Sequence, residues 1–216
     1  MLDLLHYPAD QDDEKFAAII GRRCVASPDI AEAVRHILEE VRLRGDAALI
    51  EFTRKFDEVE MTADRLRVSA LALDLALETL EPELHQAILA ATENIRAFHG
   101  SQDNRSWFVE DGDGVILGKK TTPIRRVGIC APAGEVPLFS SLIMAAVPAQ
   151  IAGVEEICVV SPPQRDGKPH PTIMAVARLL NIDEVYALGG AQAVGALAFG
   201  TGEVRSVDKV VGPGSP

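Results

Sequence analysis

The sequence predicts an α/β fold in which a mainly helical N-terminal region with a β-hairpin precedes a parallel sheet. Two observations support this fold class. Residues 127–214 repeat a unit, in which a short apolar run ends in small residues and a helix-like stretch follows. The residues before 106 instead place apolar side chains at helical spacing. Strands that alternate with helices form parallel sheets, so the repeat predicts the order βαβαβαβ of a Rossmann-like sheet.

The first helix pattern of the N-terminal region begins after Ser27, with Pro28 at the first helical position. Its apolar stripe recurs at helical spacing, at Ile30, Val34, Ile37 and Val41. Gly45 is expected to end this helix, and Asp46 to cap the next one. The inner face of that second helix would carry Leu49, Phe52 and Phe56.

A short strand over Leu66–Val68 and two further helices complete the helical region. Ser69 is expected to cap a helix that runs to about Thr79. A longer helix is predicted over 82–99 and closed by Gly100. Its inward residues would be Leu84, Ile88, Ala91, Ile95 and Phe98.

Residues 106–120 predict a hairpin, since two short strand patterns flank Asp111-Gly112-Asp113-Gly114. Trp107 and Phe108 are expected to pack this hairpin onto the helices. With the segment that follows, the hairpin would connect two domains. We predict a mainly helical region over residues 1–123 and a Rossmann-like cofactor-binding domain over 124–216.

Four strands and three helices are predicted in the repeat. The strands are Val127–Ala131, Ile157–Ser161, Val185–Gly189 and Val210–Gly212, and the helices are about Pro137–Ala152, Pro171–Leu180 and Ala191–Phe199. Gly153, Asn181 and Gly200 each follow a helix, where left-handed C-caps are placed. Ligands of such sheets bind at the carboxyl ends of the strands, so the small-residue segments there are candidate binding loops.

Composition excludes several classes of function. The net charge of -11 argues against nucleic acid and against anionic membrane surfaces as partners. The three cysteines are widely spaced without a CxxC pair, and the N-terminus has no signal-peptide pattern, so we expect a reduced, cytoplasmic protein. Neither GxGxxG, GxxxxGK[ST], HExxH nor GxSxG occurs.

The strand ends leave functional and structural interpretations open. Gly189-Gly190-Ala191-Gln192 would let an anionic ligand approach a helix N-terminus, or would only permit a tight turn. The segment 212–214 forms either a ligand wall or a plain loop. Glu135 is a candidate base or ribose ligand, but a solvated loop carboxylate is favoured. Cys130 lies inside an apolar strand without a nearby histidine, which favours a buried structural thiol over a nucleophile.

Several motifs together resemble histidinol dehydrogenase. In the repeat region they are Val127-Gly128-Ile129 with Pro132 and Pro137-Leu138-Phe139-Ser140-Ser141, Gly189-Gly190-Ala191-Gln192-Ala193, and Val207-Asp208-Lys209-Val210 with Gly212-Pro213-Gly214. In the N-terminal half they are Val41-Arg42-Leu43-Arg44-Gly45-Asp46 and Phe52-Thr53-Arg54-Lys55-Phe56-Asp57. The resemblance runs from about residue 25 to the end, and the Gly-Gly-Ala-Gln and Gly-Pro-Gly blocks in this order are its most specific part.

The resemblance implies a zinc-dependent, NAD-linked homodimeric enzyme that oxidises L-histidinol through the aldehyde to L-histidine. It implies that Gln192 contacts NAD. Two other cofactor positions of the family fall on Cys130 and Ser215, where the family usually has Tyr and Asn.

The resemblance also implies that family members are much longer than this chain. Their zinc ligands and their Glu-His acid–base pair would lie beyond residue 216, so we assign no catalytic or metal residue here. We expect the chain to be the N-terminal part of such an enzyme, with its end inside a motif, and to be inactive alone. The alternative is a stand-alone, non-catalytic nucleotide-binding or dimerisation module derived from that family.

Overall fold

A computed structural model describes residues 4–8, 13–21, 28–102, 105–133 and 137–213. The helices, in chain order, are α1 (Glu14–Ile20), α2 (Pro28–Arg44), α3 (Asp46–Asp57), α4 (Ala63–Leu66), α5 (Ala70–Glu78), α6 (Pro82–Gly100), α7 (Phe139–Ile151), α8 (Pro171–Leu179) and α9 (Gly190–Phe199). The strands are β1 (Trp107–Glu110), β2 (Ile116–Lys119), β3 (Arg126–Cys130), β4 (Glu156–Ser161), β5 (Glu184–Ala187) and β6 (Lys209–Val211).

The chain divides into two compact units, one that runs to Ala33 and one from Val34 onward. The first contains α1, which the sequence analysis did not predict. Asp13 caps α1 by accepting a hydrogen bond from the Lys15 backbone N–H at 2.7 Å. Within the same unit, the rings of Tyr7 and Phe16 stack with their centroids 5.9 Å apart.

Four parallel strands form the sheet of the second unit, in the order β5-β4-β3-β6. This confirms the predicted α/β fold with a parallel sheet in the repeat region. The chain moves outward from β3 through β4 to β5, and α9 then returns it to the other side of β3. The direction of winding therefore reverses at β3, and the gap between the carboxyl ends of β3 and β6 is the position where doubly wound folds bind ligands.

Apolar side chains cover both faces of the sheet. On one face, residues of α5, α6, α7 and α8 share a core with Val127, Ile129 and Val159. On the other face, residues of α2, α3 and α9 pack with Cys158 and Val160. Helices from before residue 123 thus contribute to both cores, while the division into domains at residues 123 and 124 stays a prediction.

Several predicted helix ends agree with the structure. Gly45 and Gly200 have positive φ directly after a helix, and Gly153 and Asn181 have it one residue later. Ser69 caps α5 and accepts a hydrogen bond from the Ala72 backbone N–H. Asp46 is instead the first residue of α3 rather than its cap, and its carboxylate accepts a hydrogen bond from the Glu203 backbone N–H. The predicted cap Ser27 lies outside the described residues.

Several local predictions were wrong. Phe56, predicted on the inner face of α3, is 51% exposed. Leu66 ends the short helix α4, and the predicted strand is reduced to one bridge between Arg67 and Tyr186. Gly100 is the last residue of helix α6 rather than the residue that follows it, and Ser101 is the C-cap. Ala91 and Phe98 on that helix are exposed rather than inward-facing.

The hairpin forms as predicted, with Trp107 opposite Lys119 and Glu110 opposite Ile116. It does not pack onto the helices, since Trp107 is 56% exposed and Phe108 is 62% exposed. The strands β1 and β2 pair only with each other, so both sheet faces of the hairpin lack a cover within the described residues. Across the described part of the chain, no helix is long and apolar enough to cross a membrane.

Candidate functional site at the carboxyl edge of the sheet

A cavity of about 730 Å³ lies where the winding of the sheet reverses. Its wall includes Cys130 and Ala131 at the end of β3, Val211 and Gly212 at the end of β6, and Gly190 at the start of α9. The volume falls within the range typical of small-molecule sites. The strand ends that the sequence pattern singled out are therefore brought together around one cavity.

Glycine is required at two points of this wall because the backbones approach closely. Gly212 has φ +141°, and a Cβ there would overlap the carbonyl oxygen of Cys130. A Cβ on Gly189 would come within 2.7 Å of the Pro162 ring. A larger residue at either position would therefore have to displace main chain or a proline ring next to the cavity.

The N-terminus of α9 opens into the cavity through Gly189, Gly190 and Ala191. The first N–H groups of a helix lack acceptors within the helix and carry partial positive charge, so this end attracts anions. Gln192 lies in the first turn of α9 and is 1% exposed. Its side-chain amide lies against Gly190, since a Cβ on Gly190 would be 2.6 Å from Gln192 Oε1.

Gln192 Oε1 is fully buried and has no hydrogen-bond partner among the described residues. The same holds for Ser161 Oγ at the carboxyl end of β4 and for Asp57 Oδ2 at the end of α3. Thr53 Oγ1 is also without a partner, one turn before Asp57 on the same helix. Arg126 Nε, at the amino edge of the sheet, is the fifth such atom. Buried polar atoms normally have hydrogen-bond partners, so the unpaired oxygen of Asp57, the one of these residues that lines the cavity, favours a polar ligand there.

Asp57 lines the cavity and is the only charged residue in the described part of its wall. Burial raises the pKa of its carboxyl group from 3.8 to about 6. No described residue forms a hydrogen bond or an ion pair with it, so no cation offsets this loss of hydration. The group also lies at the carbonyl end of α3, where a negative charge is unfavourable.

Cys130 lines the cavity next to Ala131 and is partly buried. Burial raises the pKa of its thiol above the usual value. A thiol in this state is mainly protonated at neutral pH and a poor nucleophile. This favours the interpretation of Cys130 as a structural thiol over that of a nucleophile, while its contact with a cofactor stays a prediction.

The amino edge of the sheet carries an ion network instead. Arg126, which is 5% exposed, donates to Glu156 Oε2 at 2.8 Å and to both carboxylate oxygens of Glu184 at 2.5 and 2.9 Å. Arg205 donates to Glu156 at 2.6 Å, and Tyr186 donates to Glu184 at 2.6 Å. Burial alone would raise the pKa of Glu184, but the hydrogen bonds from Arg126 and Tyr186 prevail and lower it to about 2.

Nothing in the described ranges brings together three or more His, Cys, Asp or Glu side chains that could hold a metal ion. The zinc that the family resemblance implies therefore does not fit the described residues. A dinucleotide fits better, since the cavity combines a helix N-terminus, close-approach glycines and an orphaned buried amide.

Of the three predicted cofactor-contacting residues, Cys130 lines the cavity and Gln192 lies buried beneath its Gly190 wall. Ser215 lies outside the described residues, as do Gly214 and Glu135. Asp57 was not predicted as a site residue. Two signals for it were present in the sequence: Asp57 ends the family-like block 52–57, and an acidic residue in the last turn of a helix opposes the helix dipole.

Comparison with known proteins places this geometry in a family. The family model for histidinol dehydrogenase matches residues 21–216. Histidinol dehydrogenase from Symbiobacterium thermophilum is 45% identical over 194 residues, which cover 90% of this chain and 44% of the relative. That from Syntrophotalea carbinolica is 40% identical over 215 residues, which cover 100% of this chain and 50% of the relative.

A solved structure agrees with the sequence matches. The crystal structure of histidinol dehydrogenase from Elizabethkingia anophelis superposes with a TM-score of 0.85 at 36% identity. The match covers 94% of this chain and 46% of that one. The chain thus spans about half the length of the relatives that it matches.

Proposed function

This chain belongs to the histidinol dehydrogenase family, an oxidoreductase family, and from this premise we propose that it forms the NAD-binding N-terminal part of an L-histidinol dehydrogenase of histidine biosynthesis. The observation that carries the proposal is the cavity at the reversal point of the sheet, with the orphaned Gln192 amide under its glycine wall. NAD supplies the acceptor for a hydride from the alcohol carbon.

The chain's own residues would bind and orient the dinucleotide. The N–H groups at the start of α9 face the cavity and provide donors for the pyrophosphate oxygens. Gly189, Gly190 and Gly212 keep the wall free of Cβ atoms, so that the backbone can approach the ligand closely. Gln192 offers an amide that the protein leaves unpaired, and a ligand hydroxyl or amide would satisfy it.

The remaining walls of the cavity would exclude water from the cofactor. Val160, Leu188, Val194 and Val210 line it, so that most of its surface is apolar. An apolar wall strengthens the few polar contacts, because it lowers the local dielectric. The zinc ligands and the acid–base pair implied by the resemblance would lie outside residues 1–216. We therefore expect this chain alone to bind NAD without oxidising L-histidinol.

The non-catalytic module that the sequence also allows remains a second candidate. The uncovered hairpin favours it, because exposed Trp107 and Phe108 are typical of a surface that binds another polypeptide. Both candidates predict a folded chain, but only the first requires the cavity to bind NAD. Homodimer formation, a cytoplasmic location and the exclusion of nucleic acid and membranes stay predictions from the sequence.

Isothermal titration of the chain with NAD tests the proposal. We expect saturable binding that Gln192→Ala weakens about 10-fold, which corresponds to one buried hydrogen bond to the ligand. Gln86→Ala serves as the matched control, because Gln86 is exposed on α6, outside the cavity wall. A cooperative melt together with no binding at millimolar NAD would contradict the proposal and favour the module.

A further inference from the structure

Asp57 indicates how this site selects its nucleotide. We propose that the Asp57 carboxylate accepts hydrogen bonds from the hydroxyls of the adenosine ribose and thereby selects NAD over NADP. This inference rests on the proposed function, because it requires that a nicotinamide dinucleotide occupies the cavity. It names a specificity-determining residue that lies outside the βα repeat.

Asp57 supplies a carboxylate that the end of β4 lacks. In doubly wound folds, an acidic residue at the end of the second strand commonly binds the ribose 2′-hydroxyl. Here the second strand of the repeat is β4, which ends at Ser161 and is followed by Pro162 and Pro163. Asp57 shares the cavity wall with both prolines, although it comes from the end of α3.

The Asp57 carboxylate can accept hydrogen bonds, but no described residue donates one to it. An ionised carboxylate only accepts hydrogen bonds, and the described residues provide none to Asp57. Its Oδ2 is fully buried. A ribose offers two neighbouring hydroxyl donors, which one carboxylate can bind together. The raised pKa of about 6 leaves the group mainly ionised at pH 7.5, so it remains an acceptor under ordinary conditions.

The charge of the cavity wall provides the selectivity. A 2′-phosphate needs a nearby cation, commonly an arginine. The described wall contains neither Lys nor Arg, and its single charge is the negative one of Asp57. A 2′-phosphate beside this carboxylate would place like charges together in a partly dry site, which strongly disfavours NADP.

The test compares NAD, NADP and 2′-deoxyadenosine NAD by isothermal titration of the 216-residue chain at pH 7.5. We expect the unmodified chain to prefer NAD over NADP by about 100-fold. Asp57→Asn should weaken NAD about 10-fold and reduce the preference to about 10-fold or less. Loss of the 2′-hydroxyl should weaken binding to the unmodified chain about 10-fold and to the variant hardly at all.

Glu60→Gln is the matched control, because Glu60 is an exposed carboxylate three residues away. It should behave like the unmodified chain, which excludes a general effect of net charge. Thermal melts verify that each variant is folded, and Asp57→Ser provides a second, smaller replacement.

The outcomes separate the two proposals. If the chain binds no NAD, the proposed function fails and this inference falls with it. If NAD binds and Gln192→Ala weakens it, but both Asp57 variants keep the NAD preference and the sensitivity to the 2′-hydroxyl, only the inference is overturned. The adenine amino group or the carboxamide would then be the group that Asp57 meets, since neither distinguishes NAD from NADP.

Discussion

Replacing Asp57 with Asn should stabilise the unliganded chain at neutral pH. The ionised carboxylate is partly buried at the end of α3 without a cation, whereas an unfolded chain would expose it to water. The folded state therefore disfavours the charged form. Asn has nearly the same shape but no charge, so the variant removes this penalty at the expense of the nucleotide contact proposed above.

The size of the effect follows from the pKa of Asp57. A rise from 3.8 to about 6 corresponds to about 3 kcal/mol of destabilisation if it is taken in full. Asp57 is only half-buried, and solvent at the cavity screens its charge, so we expect about 1–2 kcal/mol. For a chain of this length, that gain corresponds to a melting temperature about 2–8 °C higher.

The pH dependence identifies the cause. Because the folded-state pKa of this acid is raised, the penalty is absent below about pH 3.8, grows as the pH rises, and is complete above about pH 6. The advantage of Asp57→Asn should therefore be full at pH 8 and about half as large at pH 5. Any cost of burying the neutral amide does not change with pH and leaves this trend intact.

Thermal unfolding followed by circular dichroism at pH 5, 6, 7 and 8 measures this difference. Glu60→Gln removes an exposed charge from the same acidic chain, and its melting temperature should stay within about 1 °C of the unmodified value. A lower melting temperature for Asp57→Asn at pH 8, or a gain that does not shrink on acidification, would refute the assignment of Asp57 as a desolvated, unpartnered carboxylate.

Two further predictions concern opposite edges of the sheet. Glu184→Gln should lower the stability by about 3 kcal/mol at pH 7, because it leaves the buried Arg126 without its main partner, while Glu155→Gln at an exposed site should have no effect. Since the pKa of Glu184 is lowered from 4.5 to about 2, the stabilisation by its carboxylate should be lost as the pH falls through that interval. Equal urea midpoints for the two variants at pH 7 would count against this prediction. Gly212→Ala should weaken NAD binding at least about 10-fold, because the new Cβ would overlap the Cys130 carbonyl oxygen in the cavity wall. Gly112 has open space for a Cβ, so Gly112→Ala should bind NAD normally in the same titration.

The repeat region was predictable because its signals are local. Each buried parallel strand is a short apolar run, and β5 leads through Leu188 and Gly189 into a tight strand-to-helix turn. Gln192 could be placed in the first turn of α9 for the same reason, since it follows directly after this turn. The strand order alone fixes where ligands bind in this architecture, and the family motifs fall at the same ends.

The wrong predictions required information that the local sequence does not contain. Leu66 and Val68 are both buried with exposed Arg67 between them, which is the alternation of a strand, but Leu66 belongs to a helical turn. Trp107 was expected to be buried because it is large and apolar, although burial depends on a partner surface. Asp57 reaches the cavity only because α3 packs beside α9, more than 130 residues further along the chain.

The two edges of the sheet differ in how their charged side chains are paired. At the amino edge, Arg126 binds two carboxylates, and Tyr186 binds one of them, so protein partners hold this buried charge, although Arg126 Nε has no partner among the described residues. At the carboxyl edge, Asp57, Ser161 and Gln192 each retain a buried atom without a partner among the described residues. Such orphans cost stability in a chain that can pair charges well elsewhere, so selection for folding alone would remove them. Asp57 is the one of these residues that lines the cavity. The opposite effects expected of Asp57→Asn on stability and on NAD binding would therefore show whether its unpaired oxygen serves a polar ligand at the expense of folding.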